Sequence, residues 1–531
     1  MSDKTAPPAM AQADNHTSTP PSDEKSISTE AQVAEEKKAD DYGARPECFR
    51  NTFQELLFVF IATMAMAMNP FLMGATTVIP EIVARALSMN QAEITWLTAS
   101  SSLASGSFLL FFGRIADLFG QKPMIIASFL LFSIFSLAAG FARTPISLDV
   151  LNGILGLLSA AAVPPAQGKM SKIYGKPSRR KNAAFACFSS GNPVGFAAGM
   201  VFSGIATQLL GWRASFWLLA IIYLLLGVAA FFCVPADTAP RPALSLPLLR
   251  QLDPLGMLLT VSGIGMFSAA LSLGSSAPEG WRTPYVLVTL ALGFVLILVF
   301  VAWESFYPFP LMPMYIWRDK NFSLLMAILT LGFMAFPPAS FFIALFFQRV
   351  WGFSALSTAV HLLPLAIMGV IVNVFAGAFL HRINNKMLMF VGAGSYTLSF
   401  ILLGLNKTSS SYWAFCFPSF LLMVVGADLE FNVANMYVMT ALGPDQQSIA
   451  GGIFQTVTRL FTTVGFGVIT AVFDAVREGE GLRRGYYKGD ENVGPYAAAF
   501  WYATAAAGVS LVFVVFLSVG TQGGGGRKGK T

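Results

Sequence analysis

An all-α membrane protein made of two six-helix bundles plus two inserted helices is the fold class the sequence predicts, on three observations. The 531 residues are 55% hydrophobic and only 12% charged, with a mean hydropathy of +0.62, which no soluble surface of that length would tolerate. Apolar runs long enough to cross a bilayer, about twenty residues each, recur about fourteen times. A short charged hinge, Gly113-Arg114-Ile115-Ala116-Asp117-Leu118-Phe119-Gly120-Gln121-Lys122, has a degenerate echo at Gly377-Ala378-Phe379-Leu380-His381-Arg382-Ile383-Asn384-Asn385-Lys386. The echo keeps the first Gly and the Lys in register, which marks a duplicated half.

In chain order, residues 1–50 are rich in Ala, Ser, Thr, Pro and mixed charge, without an apolar run, and read as a disordered cytosolic tail. Residues 51–235 hold six predicted crossings, near 56–80, 94–112, 124–142, 146–168, 183–208 and 213–234. Residues 236–320 carry two more, near 254–274 and 284–304, with linkers. Residues 321–520 hold another six, near 322–347, 355–379, 387–405, 412–440, 449–474 and 496–519, and residues 521–531 form a flexible cytosolic tail. Hinge and echo follow the second and tenth crossings, so eight helices separate them where two fused six-helix halves would give six. The extra pair therefore lies between the halves.

The short loops orient the chain. Lys169, Lys172, Lys176, Arg179, Arg180 and Lys181 crowd the fourth connection, and Arg114 with Lys122 occupy the second, so even-numbered loops and both termini are expected in the cytosol. Arg477, Arg483, Arg484 and Lys488 argue the other way, but acids are interspersed among them and their loop is long. Basic residues confined to short connections make no nucleic-acid face. Cys48, Cys187, Cys233 and Cys416 have no paired spacing, so neither a disulfide framework nor a metal site is expected, and no cofactor is. Asn406-Lys407-Thr408 fits a glycosylation sequon in a loop short enough that an unmodified turn is the favoured reading.

The hinge, with Asp four, Gly seven and Lys nine residues after its first Gly, resembles the signature loop of major facilitator superfamily transporters. Gly211-Trp212-Arg213, Phe216-Trp217, Leu252-Asp253-Pro254-Leu255-Gly256, Gly280-Trp281 and Glu304 with Pro310-Leu311-Met312-Pro313 extend the resemblance to the fourteen-helix drug:proton antiporter branch, over about residues 50–520. The overall texture is most similar to fungal exporters of the aminotriazole-resistance type. The resemblance implies a major facilitator fold and a conformational latch made by Asp117 and the residues around it: Gly113, Arg114, Gly120 and Lys122, with Gly377, His381 and Lys386 in the echo. Gly191, Pro193, Gly195 and Gly199 match part of that branch's glycine-proline signature in its fifth helix, although Asn192 stands where a Gly normally precedes the Pro. Small residues four apart let helix backbones approach closely, so plain packing is the competing reading.

Two family acids and bases are missing. The stretch before Pro80, Phe71-Leu72-Met73-Gly74, has no Asp, and Asn152 stands where the fourth helix usually has Arg, with Asp149 one turn earlier. Coupling must then be sought elsewhere, and charges near the bilayer centre, which cost about 2.5–3.5 kcal/mol each, are the places to look. The twelfth crossing carries Asp428 and Glu430, which lie about 200° apart on a helix and cannot share a face. Asp428, Asn432 and Asn435 make a polar stripe at i, i+4 and i+7. Arg459 in the thirteenth crossing is expected to reach one of the two acids, either in the cavity or as glue between helices. Asn69, beside Pro70, suits a kinked substrate cavity or a purely structural kink, and His361 is either a proton relay or, by preference, a hydrogen-bonded structural residue. Phe333, Phe336, Phe341, Phe342, Phe346 and Phe347 around Pro337-Pro338 are expected mostly to face lipid.

The function these readings predict is proton-coupled secondary transport, an antiporter exporting small hydrophobic or toxic organic compounds across the plasma membrane by alternating access. The expected partners are the substrate, protons and the bilayer, the chain acting as a monomer. The vacuolar membrane is the alternative location. Import or export of a small polar solute such as borate, or a non-transporting sensor on a transporter fold, are the alternative functions. An enzyme is disfavoured, since His16, His361 and His381 have no acidic or Cys partner at catalytic spacing, and no phosphate-cradling loop appears.

Overall fold

The computed structural model describes residues 45–174, 179–237, 253–274, 277–308, 310, 312, 314–379, 383–441, 447–479 and 492–519. Of the predicted tails, residues 1–44 and 521–531 lie outside this set. The α-helices are α1 Thr52–Val78, α2 Pro80–Leu87, α3 Gln91–Phe119, α4 Gln121–Ala139, α5 Pro145–Ile173, α6 Arg179–Leu210, α7 Trp212–Cys233, α8 Pro254–Leu273, α9 Pro284–Phe306, α10 Lys320–Arg349, α11 Ala355–Phe379, α12 Asn385–Gly404, α13 Cys416–Ala441, α14 Gln447–Glu478 and α15 Gly494–Val515. Among the described residues 13 helices are long and apolar enough to cross a membrane. To these α3 adds a fourteenth of sufficient length, 29 residues, whose apolarity is diluted by Ser100, Ser101, Ser102, Ser105 and Ser107. Its polar face is hidden in the bundle, where Ser101, Ser102 and Ser105 are all about 1% exposed or less.

The short amphipathic α2 was not foreseen. Pro80 has no N–H to continue α1, so the chain breaks at Ile79 and restarts with Pro80 in the first turn of α2. The hinge is also tighter than expected. α3 runs through Gly113 to Phe119, and only Gly120, at φ +102°, turns the chain into α4. That conformation needs a residue without Cβ.

Packing sorts the long helices into two groups of six. One holds α1 and α3–α7, where α1 lies against α6, α3 against α5, and α4 against α7. The other holds α10–α15, where α12 lies against α13 and α15, and α10 against α14 and α15. The pair α8 and α9 pack on each other, and α8 also touches α3 of the first group and α14 of the second. The Asp253 carboxylate caps α8 through the Gly256 N–H at 3.0 Å and accepts from Trp303 Nε1 of α9 at 2.8 Å, while Glu304 accepts from the Met312 N–H at 2.9 Å. Those residues of the quoted motifs thus fasten the base of the inserted pair.

In lipid, helices gain little from apolar burial and associate by close fit and internal hydrogen bonds. The glycine stripe of α6 supplies the fit against α1: a methyl on Gly199 would lie 2.1 Å from the Phe71 carbonyl oxygen, and one on Gly195 2.8 Å from Ala67. Gly199→Val therefore forces two backbones apart, and we expect a loss of several kcal/mol, seen as collapse of the thermal transition in detergent. Gly508→Ala, which meets nothing within 4 Å, is the neutral comparison. Hydroxyls supply the internal bonds, Ser136 to the Phe216 carbonyl at 2.8 Å joining α4 to α7 and Ser399 with Ser419 at 2.9 Å joining α12 to α13. The phenylalanines of α10 differ from expectation. Phe341, Phe342, Phe346 and Phe347 are at most 1% exposed and lie in the interior rather than facing lipid, Phe341 edge-on to Phe466, Phe346 edge-on to Tyr496, Phe342 tilted against Phe473 and Phe347 stacked on Trp351.

Candidate functional site

The two groups meet along two seams. At one, α6 lies against α11, with Gly204 beside Ala355 and Ala359 and Pro193 beside Gly369. At the other, α14 lies against α3, where the Thr470 hydroxyl donates to Thr95 Oγ1 at 2.9 Å. The end where α1 finishes and α3 begins is called distal here, the opposite end proximal. Among the described residues, the side-chain hydrogen bonds that join the groups run from the midpoint of the helices to the distal end.

Asp428 lies at the α6–α11 seam, near the middle of α13. Its Oδ2 accepts from Asn373 Nδ2 of α11 at 3.0 Å, and a methyl on Gly369 would sit 3.5 Å from that oxygen and 3.2 Å from Pro193 Cβ. Asn432 completes the cluster, donating to Asn373 Oδ1 at 3.1 Å and to the Asp428 carbonyl at 2.7 Å. Two members of the expected stripe therefore come together. Asn435 is half-buried one turn further on and makes no hydrogen bond to them among the described residues. Glu430 points away, as its helical angle requires. It is 1% exposed, neither carboxylate oxygen has a hydrogen-bond partner among the described residues, and its side chain packs on Gly332 of α10 and Gly392 of α12.

Arg459 does not reach either acid. Its Nη1 donates to Ser105 Oγ, at the midpoint of α3 and across the second seam, and Ser105 also accepts from Ser159 of α5 at 3.3 Å. The expected ion pair fails because Asp428 faces α11 and Glu430 faces α10 and α12, while Arg459 leaves α14 toward α3. Asn69 and Asn152 are both buried, each with one amide atom lacking a partner among the described residues: Nδ2 of Asn69 and Oδ1 of Asn152. His361 belongs to a distal aromatic cluster. Its Nδ1 is 2.8 Å from the Ser357 carbonyl oxygen, its carbonyl accepts from the Tyr412 hydroxyl at 2.7 Å, and Phe353 and Tyr412 flank its ring. The sequon Asn406 is 1% exposed, with its amide directed at Cys416 Sγ.

Of the expected latch, the side chains of Arg114, Asp117 and His381 lie outside the described residues. Gly113 is helical and meets Pro164, Gly377 ends in α11, and Lys386 Nζ donates to the Val515 carbonyl at 2.7 Å. What holds the hinge is Asp237, just past α7. It accepts from the Lys122 N–H at 3.0 Å and pairs with Lys169 Nζ at 2.8 Å. Burial pushes its carboxyl up, but the bonds from Lys169 and from the Lys122 N–H outweigh this and hold it below the usual carboxylate range. A depressed carboxyl stabilises the fold above its ordinary unfolded value of 3.8 and loses that contribution as pH falls through the folded value. Asp237→Asn is expected to cost about 1 kcal/mol at neutral pH, with the gap from wild type closing in acid; melting curves against pH check it.

Sequence reasoning also missed Glu55, which accepts from Arg180 at 2.6 Å and Tyr174 at 2.9 Å at the proximal end, and a distal network around Glu81 and Arg349. Charges at the ends of apolar runs were the available signal. Asn373, a lone amide inside an apolar run, was another.

The Major Facilitator Superfamily model matches residues 56–466, well over half of the chain. Relatives include a low affinity ammonium transporter of Saccharomyces cerevisiae, 27% identical over 88% of this chain and 92% of that one. The efflux pump terJ of Aspergillus terreus is 27% identical, covering 81% and 84%, and the aminotriazole resistance protein of Saccharomyces cerevisiae is 24% identical, covering 83% and 82%. Among solved structures, that of the nucleoside transporter NupG superposes with a TM-score of 0.57 at 12% identity, covering 87% of this chain and 99% of that one. With its two groups of six helices meeting at two seams, this chain belongs to the major facilitator superfamily and is a transporter rather than an enzyme.

Proposed function

We propose that this transporter is a proton-coupled exporter of small, mostly hydrophobic organic compounds, in which the two helix groups rock about a midplane site and Asp428 carries the proton. The observation that carries the reading is the position of Asp428: an acid halfway across the membrane, on the seam where Pro193 and Gly369 bring the moving groups together. An intramembrane acid that only stabilised one bundle would be expected inside that bundle, as Glu430 is. Lys169, Lys172, Arg179, Arg180 and Lys181 gather at the proximal end, which supports a cytosolic proximal side, cytosolic termini and a plasma-membrane exporter closed on its outer face. The relatives described as an efflux pump and a resistance protein agree with export.

A small polar solute is the second reading, favoured by the amide-rich surroundings of Asp428 and by the relative described as an ammonium transporter. Purified protein in proteoliposomes, loaded with a panel of apolar compounds or with ammonium and given an imposed pH difference, separates the two. Gradient-driven movement of the apolar panel supports export of organic compounds, and movement of ammonium alone supports the other reading. No movement of any solute overturns both.

A further inference from the structure

We propose that Arg459 is the recognition group for an organic oxyanion, a carboxylate or sulfonate on an otherwise apolar substrate, bound at the α3–α14 seam. The proposal rests on the reading above that the two helix groups rock about a midplane site, and it adds the chemical class of what binds there.

A guanidinium at membrane depth persists where it has an acid, water or a ligand. Ion pairs among the described residues join Arg85 and Arg349 to Glu81, Lys169 to Asp237, Arg180 to Glu55 and Arg477 to Asp474, and Arg459 is in none of them. Among the described residues, its hydrogen-bond partner is the neutral Ser105 hydroxyl. One bond engages one of five N–H donors, and the planar fork that remains matches a carboxylate or sulfonate. The residue is half-buried rather than sealed, so a solute can approach it.

A second observation lies one turn earlier on the same face of α14. Thr456 is 3% exposed and its hydroxyl has no partner among the described residues, whereas Thr458, Thr462 and Thr463 all bond to carbonyls of their own helix. A hydroxyl three residues from a guanidinium shares its face and can donate to the same oxyanion. The stem of Arg459 is fixed by close packing on α3, where a methyl on Gly106 would meet Arg459 Cβ at 3.0 Å and Leu460 Cδ2 at 3.1 Å. Asp428 lies at the other seam, so a proton on Asp428 and an anion on Arg459 would occupy separate places.

The test uses the full-length protein in nanodiscs, without a pH gradient, and three probes of one size: benzenesulfonate, benzyltrimethylammonium and benzyl alcohol. Saturable binding, read by tryptophan fluorescence and by thermal shift, is expected for benzenesulfonate alone. Arg459→Gln should weaken it about tenfold or more, Thr456→Val several-fold, and Arg459→Lys, which keeps the charge, by less than Arg459→Gln. Asp428→Asn should leave sulfonate binding intact even if it removes proton coupling, and sulfonate binding should persist even if no proton-driven transport is found. The proposal is overturned if wild-type protein does not bind the sulfonate saturably, if Arg459→Gln binds it as tightly as wild type, or if the quaternary cation binds and the sulfonate does not. Should Arg459→Gln fail to fold, Arg459→Lys and Thr456→Val decide: unchanged sulfonate binding in both overturns the assignment.

Discussion

Replacing Asp428 by Asn is expected to abolish accumulation driven by a pH difference while the protein still inserts, folds and exchanges substrate downhill. The amide has nearly the shape of the carboxyl and keeps an oxygen to accept from Asn373 Nδ2, so the bond now at 3.0 Å survives the substitution. The Asn432 bonds go to the Asn373 side chain and the Asp428 backbone and are not touched. Little stability should be lost, within about 1 kcal/mol. What disappears is the one group in the cluster that can gain and release a proton, since the two asparagines cannot. Substrate accumulation in proteoliposomes with an acid lumen should fall to the vesicle background, a change of about tenfold or more, and the remaining downhill exchange should lose its dependence on pH. Glu430→Gln is the contrasting variant, because Glu430 is enclosed within the second group against Gly332 and Gly392, away from both seams. Full gradient-driven accumulation in Asp428→Asn would remove that residue from the coupling step and with it the main support for proton drive.

Most of the helix count and the inserted pair could be read from the sequence, because a lipid-spanning run needs about twenty apolar residues and the chain repeats that length with short polar interruptions. Helical periodicity was enough to separate Asp428 from Glu430, since 200° is a property of one helix. It was not enough for Arg459, whose partner depends on which helix of the other group lies opposite, and Ser105 is 354 positions away in the chain. The hinge was misjudged for a related reason. The predicted crossings left residues 113–123 between helices, with both glycines assigned to the tight turn, but Gly113 stays helical beside Pro164, whereas in the hinge Gly120 alone takes a positive φ. In lipid a glycine is as often a point of close helix contact as a break, and sequence spacing does not distinguish the two. The acids that fasten the molecule, Asp237, Glu55 and Glu81, sit beside apolar runs where surface charges also sit, and only the fold shows which of them meet a base.

The distal network around Glu81 is where the second large effect is expected. At the end of α10, Arg349 pairs through Nε with Glu81 in the first turn of α2 and donates from Nη1 to Gln91 Oε1 of α3 at 2.7 Å. The neighbouring Gln348 donates to the Val78 carbonyl at 2.8 Å and accepts from the Glu81 N–H at 3.2 Å. Two consecutive residues of the second helix group thus hold three elements of the first, at the end that must part for that side to open. The negative charge at the start of α2 and the mostly covered arginine make this a strong contact, with the Glu81 side chain only 11% exposed. Removing one partner of such a pair costs about 2–5 kcal/mol in the state that contains it and nothing in a state where the groups have separated. Arg349→Ala should therefore shift the population toward a distally open form by about thirtyfold or more, the factor that 2 kcal/mol represents. Thr95 lies behind this network, bonded across the seam to Thr470, and reports the opening. With Cys48, Cys187, Cys233 and Cys416 changed to Ser and Thr95→Cys introduced, a membrane-impermeant thiol reagent added from the distal side should label Arg349→Ala far faster than the parent. Glu81→Gln should act in the same direction, and the double variant should add little, because both single changes break one contact. Equal labelling rates in all four proteins would mean that the network joins the groups without holding them shut, and closure would then have to come from the packed seams themselves.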